Sequence, residues 1–135
     1  MESLWSDSEA LKFVDDLKGN GVSEELAWRV YTTRLLGLNP KLVLHGGGNT
    51  SVKSVSIDVF GEYQDVICVK GSGSDMAYIQ PDGLPAVRLE PLLKLKELDS
   101  LSDVSLVNFE RSNLMDSMAP TPSIETLLHA YIPHK

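Results

Sequence analysis

His45-Gly46-Gly47-Gly48-Asn49-Thr50-Ser51-Val52-Lys53 is the stretch on which the reading of this chain turns. Three adjacent glycines lower the steric cost of positive φ and of close approach by another molecule, and bare N–H groups in such a turn can form an anion-binding nest. Taken alone, a glycine-rich turn before a strand is ordinary hairpin chemistry. Here it runs into amide and hydroxyl side chains. A second loop of small residues, Lys70-Gly71-Ser72-Gly73-Ser74-Asp75, follows an apolar run. Two such loops suit a phosphate or carboxylate better than one.

Working outward, Leu42-Val43-Leu44 leads into the first loop and reads as a short strand over 42–45. Beyond it, Val55, Ile57 and Val59 alternate with Ser54, Ser56 and Asp58, the period of a half-exposed strand over 51–60. Gly61-Glu62 makes the turn, and Val66-Ile67-Cys68-Val69, apolar on both faces, suits a central strand over 65–70. Short strands are expected at Met76–Ile79 and Ala86–Leu89, either side of the turn signal Pro81-Asp82-Gly83.

Helices flank this middle. Ser6-Asp7-Ser8-Glu9 has capping-box spacing, Leu11, Val14 and Leu17 share a helical face, and Gly19 suits the C-terminal stop, so the spacing predicts a helix over 7–18. Ser23 caps a second helix that carries Leu26, Ala27, Val30 and Tyr31 and ends at Gly37. Pro91 is placed like a first helical residue with Leu92, Leu95 and Leu98 after it. Ser102 or Asp103 starts a further helix through Leu114. The last helix begins within Thr121-Pro122-Ser123-Ile124-Glu125, buries Leu127, Leu128 and Tyr131, and stops before Pro133.

Helices first, hairpins in the middle and helices after predict an α+β domain, layered α/β/α, with a mainly antiparallel central sheet spanning residues 1–135 as one unit. Alternating βαβ periodicity is missing, as are G-x-G-x-x-G and G-x-x-x-x-G-K-S/T, so dinucleotide and P-loop nucleotide folds are disfavoured.

The chain has 135 residues, 42% of them hydrophobic, with 12 Lys and Arg against 19 Asp and Glu and a formal net charge of −7. That balance disfavours nucleic acid and anionic membrane surfaces as partners. No apolar run approaches the roughly 20 residues of a membrane span. The N-terminus is acidic where a signal peptide is basic and then apolar, so a cytoplasmic location is expected. The single cysteine, Cys68, allows no intrachain disulfide and reads as a buried, inert thiol.

Gly46–Ser51, Gly71–Ser74 and Thr121–Ser123 share one composition, small or hydroxyl residues at a turn. Brought together, their backbone N–H groups with Asn49, Ser72 and Ser123 would surround an anion, with the last helix adding its positive end. Glu125 is explained blandly as an acid stabilised by a helix N-terminus. Beside the anion pocket it becomes a candidate general acid/base. Lys53, Lys70 and Asp75 read as solvated or ion-paired residues, with Lys53 or Lys70 also suited to holding an anion. His45, His129 and His134 are too scattered in sequence for a metal site: the last two are five apart with Pro133 between them, unlike the i, i+4 pair of a helical zinc site.

The segments Leu42–Lys53, Val69–Asp75 and Pro122–Lys135, in this order, resemble the class II aldolase/adducin family, and most nearly the aldolase half of the rhamnulose-1-phosphate aldolase/short-chain dehydrogenase proteins. The resemblance implies a lyase that cleaves a ketose 1-phosphate, most plausibly L-rhamnulose 1-phosphate, to dihydroxyacetone phosphate and an aldehyde. The family's G-N-x-S turn matches Gly48-Asn49-Thr50-Ser51, which would put Gly48 and Asn49 at the phosphate or ketone end of the substrate. Its S-G loop matches Ser72-Gly73, phosphate ligands. Its S-x-E helix start matches Ser123 and Glu125, a phosphate hydroxyl and the catalytic acid/base. Ile124 stands where other members carry a second serine.

The resemblance also implies a homo-oligomer, a tetramer, and a zinc ion on three histidines, two of them in an H-x-H element soon after the S-x-E helix. No such element precedes Lys135. The expectation is therefore that the metal ligands lie beyond Lys135, and that these residues are the N-terminal portion of the enzyme, binding no zinc and showing no activity alone. The rival reading is a non-catalytic, adducin-like interaction module.

Overall fold

The computed structural model describes residues 2–135. Two helices open it, α1 (Asp7–Gly19) and α2 (Glu24–Gly37). The Ser6 hydroxyl accepts from Glu9 N–H and the Ser23 hydroxyl from Leu26 N–H, so each helix starts where its capping residue stands. Ala10 and Val14 of α1 and Ala27, Val30 and Tyr31 of α2 are buried.

The sheet has three strands, β1 (Ser51–Ile57), β2 (Tyr63–Val69) and β3 (Ala86–Arg88), in the order β1-β2-β3 and antiparallel throughout. β1 and β2 run from Ser51 opposite Val69 to Ile57 opposite Tyr63, and β2 meets β3 with Ile67 opposite Val87. Because side chains alternate across a strand, β2 supplies two cores at once. Val66 and Cys68 pack with Val30, Val52, Ile79 and Leu84 on the face that α1 and α2 cover. Ile67 and Val69 pack with Val87, Leu92, Leu114 and Ala130 on the other. Fully burying each such aliphatic side chain is worth about 1.5–3 kcal/mol, so the all-apolar run in β2 is what binds the two helical layers to one sheet.

The opposite layer is α3 (Leu89–Lys94), α4 (Asp103–Ser112) and α5 (Thr126–Tyr131). The architecture is the expected antiparallel α+β sandwich. Among the described residues no helix is long and apolar enough to cross a membrane.

Several expectations are corrected. Leu42-Val43-Leu44 is no strand: Leu42 and Val43 N–H both bond the Asn39 carbonyl in the turn leaving α2, so their donors are spent locally. Met76–Tyr78 is a 3₁₀ turn, because the Asp75 carboxylate accepts from Ala77 N–H and starts it. β1 ends at Ile57, and Val55, Ile57 and Val59 face solvent: register places Val55 and Ile57 on the α5 side beyond that short helix. Pro91 is the third residue of α3, not the first. α5 begins only at Thr126 and buries Thr126 and Ala130, leaving Leu128 exposed.

Candidate functional site

The first glycine loop is held at both ends. Behind it, Thr50 is buried and its hydroxyl lies 2.7 Å from that of Thr33 on α2, which also donates to the Arg29 carbonyl at 2.6 Å. Lys70 N–H bonds the Thr50 carbonyl at 3.0 Å, extending the β1–β2 ladder by one step. With Thr50 turned inward, the extended backbone sends Asn49 and Ser51 to the opposite side, toward the start of α5.

There the contacts are long-range. Asn49 Nδ2 lies 2.6 Å from Ser123 Oγ and 3.3 Å from Glu125 Oε2, partners 74 and 76 residues away in sequence. Ser51 Oγ lies 2.9 Å from His129 Nδ1. Asn49 Oδ1 is buried and has no hydrogen-bond partner. Glu125 precedes α5 without capping it through its side chain, and the helix is only six residues long. The helix-terminus explanation of Glu125 is therefore the weaker one: its carboxylate is turned to Asn49 rather than to its own helix.

The second loop joins from the other side. Gly71 forms a bridge with Pro122, and Ser72 N–H donates to the Thr121 carbonyl at 3.1 Å. A Cβ placed on Gly46 would stand 3.3 Å from the Gly73 carbonyl oxygen, so the two glycine loops touch. The Gly46, Gly47, Gly48, Ser72 and Gly73 residues remain exposed. All three small-residue segments thus meet at one place on the surface. Asn49, Ser123 and Glu125 are joined by direct hydrogen bonds, and Ser72 and Gly73 are tied in through backbone.

Lys70 corrects the expectation of a solvated lysine. It is 2% exposed, and its ammonium donates to the carbonyls of Gly46 at 3.1 Å and Gly71 at 3.4 Å, one from each glycine loop. Burial pulls its pKa below the ordinary lysine value, while the carboxylates of Glu125 and Asp75 push it back up. It is a cation built into the floor between the loops. The sequence offered Lys70 as a residue suited to an anion but not as a buried one, because a lysine next to glycines looks exposed. The available signal was its place directly after an all-apolar strand. Lys53, by contrast, donates to the Ile132 carbonyl at the exit of α5.

The histidines stay apart. His45 is exposed and takes a left-handed backbone, φ 52°, at the start of the glycine loop. His134 is exposed. His129 has its pKa lowered by burial and by Arg29, with the nearby Glu125 carboxylate acting against them. Cys68 is buried, and desolvation pushes its thiol up to about 11, which makes it unreactive as expected. Among the described residues no three His, Cys, Asp or Glu side chains converge as a metal site would require.

The family model described as "Class II Aldolase and Adducin N-terminal domain" matches residues 29–135. The chain belongs to this family. A solved structure, the N-terminal class II aldolase domain of a conserved protein from Thermoplasma acidophilum, superposes with a TM-score of 0.82 at 32% identity, covering 98% of this chain and 56% of that one. An uncharacterized oxidoreductase, YuxG, of Bacillus subtilis (strain 168) is 39% identical over 106 residues, which are 78% of this chain and 15% of that protein. The chain therefore spans a minor part of that relative and just over half of the class II aldolase domain it superposes on.

Proposed function

We propose that these residues form the phosphate-binding and acid/base half of a class II aldolase, a lyase that cleaves a ketose 1-phosphate. L-rhamnulose 1-phosphate, giving dihydroxyacetone phosphate and lactaldehyde, is the substrate favoured by the sequence resemblance. The observation that carries the reading is the convergence of Asn49, Ser123 and Glu125 at hydrogen-bond distance from segments 74 and more residues apart. An enzyme needs that meeting; a hairpin turn does not.

In this reading the phosphate docks on the surface where the two glycine loops meet. The Lys70 ammonium lies beneath it, and the Ser72 hydroxyl, Gly73, Gly48 and the Ser123 hydroxyl line it. Ser72 N–H is already committed to Thr121, so this residue serves through its side chain. Asn49 holds the substrate at the ketone end, where its unpartnered Oδ1 accepts from a substrate hydroxyl. When the carbon–carbon bond breaks, the hydroxyl on the departing carbon gives up its proton as it becomes the aldehyde carbonyl, and the carbon left beside the ketone must gain one. Glu125 supplies it, and removes it in the reverse direction.

Zinc belongs to this proposal only outside the described residues. No three ligating side chains cluster among the described residues, and the histidines that would hold the ion are those the family resemblance implies. A cytoplasmic, tetrameric enzyme completes the reading. The test is retro-aldol turnover by the full-length gene product across a panel of ketose 1-phosphates, followed by elemental analysis for zinc. Turnover of one or more of them supports the proposal. No turnover with any, in a folded zinc-replete protein, overturns it in favour of an adducin-like interaction module.

A further inference from the structure

The proposed site accounts for Asn49, Ser123 and Glu125, and leaves the contact between Ser51 and His129 without a task. Asn49 and Ser51 are two apart in extended backbone, so they point the same way about 6.6 Å apart. Glu125 and His129 are four apart, one α-helical turn, about 6 Å along the axis. The two spacings match. Asn49 meets Glu125 at 3.3 Å and Ser51 meets His129 at 2.9 Å, so the entry into β1 grips the N-cap of α5 and the helix one turn on.

Core packing holds the apolar face of α5; the second polar contact fixes the rotation of its other face, where Glu125 stands. The far end of α5 is set by Ala130 and Tyr131 in the core and by Lys53 on the Ile132 carbonyl. At the Glu125 end the six-residue helix has Thr126 buried and Leu127 packed on the core, and there the two contacts from Asn49 and Ser51 set the polar face. The loop side is equally anchored, because Thr50 between the two gripping residues is buried against Thr33.

We infer that His129 is a positioning residue: by holding Ser51 it sets the rotation of α5, and so the placement of the Glu125 carboxylate against Asn49 and the bound substrate. The inference rests on the proposed role of Glu125 for its catalytic consequence. The clamp itself does not depend on it. Nor does it depend on the imidazole's protonation, since a serine hydroxyl donates to a neutral Nδ1 and accepts from a protonated one.

The test has two arms. In the 135-residue chain, labelled for NMR, His129→Ala and Ser51→Ala should each shift the Asn49 side-chain amide and the Glu125 carboxyl carbon, and the double variant should look like either single one. His129→Asn, whose amide reaches close to the Nδ1 position, should restore the wild-type resonances. In the full-length enzyme His129→Ala should lower kcat by about tenfold to a hundredfold, the penalty for a small misplacement of a reacting group, with KM changed less than about threefold. His129→Asn should recover most of it. Asn49 and Glu125 resonances unmoved in both alanine variants, or losses in kcat that add in the double variant, would overturn the clamp. A wild-type enzyme without aldolase turnover would refute the proposed function instead, and leave the clamp to be judged on the resonances.

Discussion

The two ends of β1 have nearly the same ingredients and opposite fates. At the start stands Gly48, φ 74°, and just past the end stands Gly61, φ 76°. A Cβ on Gly48 would press on Met76 Sδ at 2.6 Å and on both Val43 methyls at 3.2 and 3.3 Å, whereas one on Gly61 would meet nothing within 4 Å. Around Gly61 the turn is closed by its own residues, with the Asp58 carboxylate accepting from Phe60 and Glu62 N–H, and Val59 and Phe60 are 93% and 84% exposed. Around Gly48 the partners are Val43 from the turn after α2 and Met76 from the 3₁₀ turn after the second glycine loop, and the next two residues, Asn49 and Thr50, bond to Ser123, Glu125 and Thr33. Backbone conformation is alike at the two glycines; only one of them is also needed for what packs against it.

Four measurements would break that comparison or sharpen it. The largest effect is expected at the Gly48 end and in chemistry rather than stability: Glu125→Gln in the full-length enzyme should lower kcat by about 10²–10⁴-fold, with KM and melting temperature little changed. Asn49→Ala and Ser72→Ala should instead act mainly on KM, because a phosphate or ketone grip made equally in ground and transition state is uniform binding. Normal turnover in Glu125→Gln would reduce this end of β1 to a structural turn like the other.

Next comes Gly48→Ala. It combines a left-handed backbone, about 1–2 kcal/mol for a residue with a Cβ, with overpacking against Met76 and Val43, typically about 1–3 kcal/mol. Urea unfolding should show a loss of about 2–5 kcal/mol. A loss no larger than that of Gly61→Ala would mean that Met76 simply swings aside.

A smaller effect comes from neither end and sets the pH background for both. Glu110 of α4 is 1% exposed with an unpartnered Oε1, and desolvation raises its pKa from 4.5 to about 7. Between those values the folded chain keeps a proton that the unfolded chain releases, so Glu110 lowers stability as pH rises from about 4.5 through about 7. Glu110→Gln should flatten this slope and stabilise the chain near pH 8 by on the order of 3 kcal/mol, read from unfolding midpoints across pH. An unchanged slope would place the titration elsewhere.

The smallest effect is Gly61→Ala, about 1–2 kcal/mol for the positive φ alone, since the site is otherwise open. The same denaturation series measures it.

How much could be read in advance follows from where each signal lies. The helix starts at Ser6 and Ser23 and the β1–β2 hairpin were legible, because capping, turn chemistry and period-2 alternation act between near neighbours. Leu42–Leu44 misled for the complementary reason: its residues favour a strand, and the donors a strand would need were already bonded to Asn39. The outward face of Val55 and Ile57 was equally hidden, since alternation shows that a strand has two faces and not which one a short helix leaves bare.

At the site the sequence by itself determined the inventory: two glycine loops, Asn49, Ser123 and Glu125, and the family to which their order belongs. Only the tertiary structure decided that Lys70 lies buried between the loops, that Asn49 turns its amide to Glu125, and that Ser51 meets His129. Those contacts join residues tens of positions apart. Their formation depends on the packing of α2, β2 and α5 about one sheet, a balance of many buried contacts that no local pattern encodes.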